Sequence, residues 1–202
     1  MKSNSSFLIL VAVIVLFAAA TYVVVTFSHS TQSQNPIIGA LQPTAEPSAP
    51  LTDAKTGDGK LKVSGTSAKQ HDGGMKYTFS VTDISAKSTW TLYEATVAAG
   101  DSMAIPLNSW TPDNKVLFLE KTVGGVTDYL VFRGDAKPWP DGQQFLSVQD
   151  YWTTAGKNLT IRTATGWAGN DLLIIYTAKA DGSRGPNFWF VTETHKFMQL
   201  AH

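Results

Sequence analysis

An all-β domain of short antiparallel strands, carried on a single N-terminal transmembrane helix, is the architecture this sequence predicts. Three observations predict it. The chain opens with an unbroken apolar run, Phe7–Phe27, of 21 residues. A proline-rich polar stretch follows. The remainder holds only short β-branched and aromatic runs separated by turn-forming residues.

The run FLILVAVIVLFAAATYVVVTF carries no charge, and a helix of that length at about 1.5 Å per residue matches a bilayer's hydrocarbon core. A cleaved signal peptide would have a shorter apolar region, and here the run continues past Ala18-Ala19-Ala20 through Val23-Val24-Val25. An uncleaved signal anchor is therefore expected at residues 7–27, with the lipid bilayer as its partner. Lys2 precedes the span and no Lys or Arg follows until Lys55, which places residues 1–6 in the cytoplasm and residues 28–202 outside the cell membrane. Residues 28–59 contain Pro36, Pro43, Pro47 and Pro50 and no aromatic residue, so a flexible linker is expected there.

From residue 60 onward the strands are expected at Lys60–Val63, Lys76–Val81, Thr89–Thr96, Ser102–Leu107, Lys115–Lys121, Asp128–Arg133, Gln144–Val148, Leu159–Thr163, Leu172–Thr177, Asn187–Thr192 and Lys196–Leu200. Gly124-Gly125, Asp141-Gly142 and Asp181-Gly182 supply turns between them. One short helical turn is expected near Val148–Trp152.

An internal repeat lies within this pattern. Asn108-Ser109-Trp110-Thr111-Pro112-Asp113-Asn114 leads into the strand KVLFL, and Thr165-Gly166-Trp167-Ala168-Gly169-Asn170-Asp171 leads into LLII. Each is followed by an aromatic strand, Tyr129–Phe132 and Phe188–Val191, so register is kept to within two residues. A fainter copy of the hairpin pairs Tyr77–Val81 with Trp90–Tyr93. The phrase Ser109-Trp110-Thr111-Pro112-Asp113-Asn114-Lys115 resembles the W-S-P-D-G-K turn-and-strand phrase of the PD40, or TolB-type, β-propeller repeats, which are WD40-like. That resemblance, over residues ~76–200, implies a Trp packed between neighbouring blades and a Pro-Asp turn ahead of an interior strand. Residues 76–200 make about three blades where closed rings have four to eight. The alternatives are a partial propeller, a sandwich of blade-like sheets, or one share of a homo-oligomeric ring.

Composition narrows the chemistry. Sixteen Lys+Arg balance sixteen Asp+Glu, which excludes a nucleic-acid binder that works by excess positive charge. The absence of cysteine excludes disulfides and thiolate metal sites, and points to a prokaryotic source for a chain expected outside the membrane. No spacing of His, Asp or Glu suggests a metal, and no nucleotide-binding loop or other cofactor signature is present, so no catalytic, cofactor or metal residues are assigned. Ser183 has no nucleophile-elbow context to pair with His195. Trp139, Tyr151 and Trp152, in the irregular stretch between the two repeats, are the candidate binding residues. Trp110, Trp167 and Trp189 are expected in packing roles. These features together predict a non-enzymatic interaction domain for a protein or cell-envelope glycan; the alternative is a small envelope hydrolase whose carboxylates converge from distant strands.

Overall fold

The computed structural model describes residues 49–155 and 158–200. The expected anchor at 7–27 and the linker as far as residue 48 lie outside the described residues; among these, no helix is long and apolar enough to cross a membrane. Thirteen strands form three antiparallel sheets. Sheet 1 contains β1 (Ala49–Pro50) and β2 (Ala54–Lys55), both paired to β3 (Leu61–Lys69), then β4 (Met75–Asp83) and β5 (Ser88–Val97). Sheet 2 runs β6 (Ser102–Ala104), β7 (Val116–Val123), β8 (Val126–Arg133), β9 (Leu146–Ser147), and sheet 3 runs β10 (Leu159–Trp167), β11 (Leu172–Lys179), β12 (Phe188–Val191), β13 (Lys196–Gln199). From β3 onward, chain neighbours within each sheet are sheet neighbours, as short turns between antiparallel strands require.

The expected helical turn is a two-turn helix, α1 (Val148–Ala155). Ser147 caps it: its Oγ accepts the Asp150 N–H at 3.1 Å and donates to Asp128 Oδ2 at 2.8 Å, while Asp128 Oδ1 takes the Gln149 N–H at 2.9 Å.

Residue 60 is not where the folded unit begins. Ala49–Pro50 pairs with Ser67 and Thr66, and Ala54–Lys55 pairs with Val63 and Lys62, so the last part of the expected linker is strand. The reason is a turn that repeats. The Thr56 amide donates to the Leu61 carbonyl (2.9 Å), the Gly59 amide to the Thr56 carbonyl (2.9 Å), and the Thr56 Oγ1 to Asp58 Oδ1 (2.8 Å). Around Thr111, Asn114, Val116 and Asp113 the same three bonds recur at 2.9, 3.0 and 2.8 Å. The residues at the tight position, Gly59 and Asn114, both have positive φ, 71° and 63°. In the third copy, one residue shorter, Ala168 donates to the Leu172 carbonyl at 2.8 Å. The first copy of the repeat therefore starts at Thr56, not at the β4–β5 hairpin.

Packing sets the sheets in order. Sheet 2 is buried on both faces: Leu117, Leu119, Leu130 and Phe132 meet Val63, Phe79, Val81 and Leu92 of sheet 1, whereas Phe118, Tyr129 and Val131 meet Leu173, Ile175 and Phe190 of sheet 3. Two indoles link one repeat to the one before it. Trp110 Nε1 donates to the Ala54 carbonyl (3.1 Å) and Trp167 Nε1 to the Ser109 carbonyl (2.7 Å). Ala54 and Ser109 hold the same position, two residues ahead of Thr56 and Thr111. Trp110 is buried and Trp167 half-buried. Trp189 departs from its expected packing role. Its register with Ile174 and Met198 puts it on the face of sheet 3 turned away from sheet 2, outside both cores.

Candidate functional site

Strand direction gathers two kinds of connection at one end of the sheets. The three repeated turns (57–59, 112–114, 168–171) precede β3, β7 and β11. The links from β4 to β5, β8 to β9 and β12 to β13 return to the same end, because Asp83 pairs with Leu61, Arg133 with Val116, and Val191 with Leu172. At this end lies a cavity of about 660 Å³, lined by the second repeated turn, the β8–β9 and β12–β13 links, and residues of β3, β5, β7 and β8.

Its walls are apolar. Leu61 and Val116 come from strand starts, Trp90 from β5, and Trp139 and Pro140 from the long β8–β9 link. Both indole N–H groups are engaged in the fold, Trp90 Nε1 with the Gly134 carbonyl (3.0 Å) and Trp139 Nε1 with the Val131 carbonyl (3.2 Å). What these residues offer a ligand is ring surface, most of it from Trp90, because Trp139 is 9% exposed and packs in the core beside Val131 and Leu146. Trp139 is held by a Pro-Asp-Gly turn, in which its amide meets the Gln143 carbonyl at 2.7 Å and Asp141 Oδ1 accepts the Gln143 amide at 3.1 Å.

Charge rings the mouth. Arg133 Nη2 lies 3.1 Å and Lys137 Nζ 3.3 Å from Asp135 Oδ2. Partial burial pushes the Asp135 carboxyl up, but the Lys137 amide, the Lys137 ammonium and the Arg133 guanidinium outweigh it and leave the group below its ordinary range. Lys115 Nζ sits 3.4 Å from Asp113. His195, at φ 56° in the β12–β13 turn, brings Nδ1 to 3.9 Å from Asp141 Oδ2 and packs at a 40° tilt against Tyr151 with ring centres 4.9 Å apart. Glu193 is exposed and makes no ion pair among the described residues.

The three candidate binding residues are divided. Trp139 lines the cavity. Tyr151 lies beside it, packed against Phe190 and His195, with its hydroxyl 3.0 Å from Gln143 Nε2. Trp152 belongs to the interior of sheet 3: it is 3% exposed, meets Phe188 and Phe197 edge-on, and donates to the Leu159 carbonyl at 3.0 Å. Ser183 and His195 stand at opposite ends of β11, so they form no catalytic pair. Trp90, Asp141 and Glu193 carry no local signal in the sequence; the strand-end rule for turn residues was the only hint, and it points to loops generally. Among the described residues no three His, Asp or Glu side chains converge as a metal site requires.

Compared with the sequence patterns of known protein families and with curated proteins, the chain matches none.

Proposed function

We propose that this chain is a non-enzymatic interaction domain, anchored in the cell membrane through residues 7–27 and displayed on its outer side, that takes a protein or cell-envelope glycan partner into the cavity at the turn end of its sheets. One observation carries the reading: about 660 Å³ of space with two tryptophan faces in its wall and both signs of charge at its mouth. Indole faces suit the apolar side of a sugar ring or an aliphatic side chain, and charged groups at the rim fix orientation. The thrice-repeated turn and strand, with the indole contact that recurs at both inter-sheet junctions, support arrangement of the sheets as a partial propeller, in keeping with the PD40-type resemblance. That analogy bears on the fold more than on the ligand.

A second reading rests on its own observation. Asp135, Asp141 and Glu193 border one cavity, and paired carboxylates are what a glycoside hydrolase needs. Burial raises the Asp135 carboxyl, but the Lys137 amide and the Lys137 and Arg133 cations lower it further, the opposite of the shift a proton donor needs. The deciding experiment uses the full chain in neutral detergent with envelope glycan fragments and peptides. Saturable quenching of tryptophan fluorescence without turnover is expected. Hydrolysis abolished by Asp141→Asn or Glu193→Gln, with melting temperature unchanged, would replace the binding reading. Protease added to intact spheroplasts should release a fragment of about 17 kDa, the share of the 21.8 kDa chain in residues 44–202. Full protection of the domain would overturn the orientation.

A further inference from the structure

Toward the far end of sheet 3 from that cavity lies a second, open cleft of about 450 Å³, lined by Arg162, Thr163, Thr165, Tyr176, Thr177 and Arg184. The chain has three arginines. Arg133 is ion-paired with Asp135, whereas Arg162 and Arg184 have no ion pair among the described residues and no acid lines their cleft.

The backbone of each arginine is placed by specific local structure. Ile161 pairs with Thr177 and Thr163 with Tyr176, so Arg162 is the extra residue of a β-bulge. A bulge breaks the strand's alternation and re-aims the side chain it carries. Arg184 is set by the turn after β11. It bridges to Ala178, the next residue's amide (Gly185) donates to the Thr177 carbonyl at 2.9 Å, and a Cβ at Gly185 would collide with Thr177 Oγ1. Its guanidinium then rests over the Tyr176 ring, 5.9 Å from the centroid. Two like charges fixed in one cleft without a counter-charge favour an anion between them, and planar guanidinium forks match oxyanions. The volume exceeds what a bare ion needs, and whereas Thr163 Oγ1 donates to the Ala164 carbonyl (3.2 Å) and Thr177 Oγ1 to the Pro186 carbonyl, the Thr165 hydroxyl is available to a polyol hydroxyl.

From this geometry we infer that the cleft binds an acidic sugar, its carboxylate or ester oxyanion taken by Arg162 and Arg184 and a ring hydroxyl by Thr165. The inference is independent of the cavity at the turn end. Calorimetric titration of the full chain in neutral detergent, with glucuronate, glucose and inorganic phosphate as probes, tests it. Glucuronate should bind saturably and more weakly as salt rises, phosphate should bind less tightly, and glucose should not bind. Arg162→Gln and Arg184→Gln, both at exposed positions, should each weaken glucuronate by about tenfold with the melting temperature unchanged, and the double variant should abolish it. Absence of saturable glucuronate binding up to about 20 mM would overturn the assignment. So would equal binding of glucose or phosphate, or glucuronate affinity untouched in both variants.

Discussion

Trp110 is the side chain on which the junction of sheets 1 and 2 most depends, and its removal gives the most direct test of how the repeats are joined. The indole is 8% exposed, packs in the core shared by the two sheets, and donates to Ala54 at 3.1 Å across that junction. An aromatic side chain of this size buries about 150–250 Å². At about 25 cal/mol per Å² that is roughly 4–6 kcal/mol of transfer free energy. Truncation to alanine retains part of it and leaves a cavity, so Trp110→Ala should cost about 3–5 kcal/mol. Trp110→Phe keeps most of the apolar contact but loses the N–H, and should cost about 1–2 kcal/mol. Urea unfolding of residues 44–202, the compact unit, followed by circular dichroism provides the assay. The midpoint should fall in that order with an unchanged slope. At about 2–4 °C per kcal/mol for a domain of this size, the alanine variant should melt roughly 6–20 °C lower. A cost for Trp110→Ala below about 1 kcal/mol would refute the view that the indole joins the sheets.

Three further outcomes follow from the same structure. Gly134→Ala should destabilise by about 1–3 kcal/mol in the same assay, because a Cβ there would lie 2.7 Å from Trp110 Cζ3 and 3.3 Å from the Lys115 carbonyl; a neutral effect would mean that the indole shifts freely. Ser147→Ala removes the cap of α1 and should cost about 1 kcal/mol, detectable as a lower urea midpoint, and an unchanged midpoint would deny the cap any weight. Asp58, Asp135 and Asp181 all titrate below the ordinary carboxylate range in the fold, Asp58 through the Lys60 amide and Asp181 through Ser183. Depressed folded-state values stabilise above the unfolded range, so melting temperature should be flat near neutrality and fall as pH drops below about 4. A melting temperature constant down to about pH 2.5 would contradict it.

Much of the fold was legible because burial writes itself into strand sequence. The run Val116-Leu117-Phe118-Leu119 is apolar at successive positions because sheet 2 is covered on both sides, whereas Lys76-Tyr77-Thr78-Phe79-Ser80-Val81 alternates because only one face of sheet 1 meets a core. Leu172-Leu173-Ile174-Ile175 reads like the former but is not: Leu173 and Ile175 face the core, while Ile174 shares the outer face with Trp189 and Met198. The first repeat escaped notice because Lys55 stands where Trp110 and Trp167 stand in the later copies. No repeat precedes it among the described residues, so there is no carbonyl for an indole to meet.

The sequence by itself determined the all-β class of the described residues, the repeat with its paired tryptophans, and the turns, since each depends on local conformation or on a period of two along one strand. Tertiary structure alone decided which residues share a site. Trp90, Trp139, Asp141 and Glu193 come from three sheets and meet only because every second strand ends at the same pole. Arg162 and Arg184 face one cleft only because a bulge turns one and a glycine-tight turn seats the other. Strand spacing along the chain holds no record of such meetings, because the direction of a strand in space is fixed by its partners across the sheet.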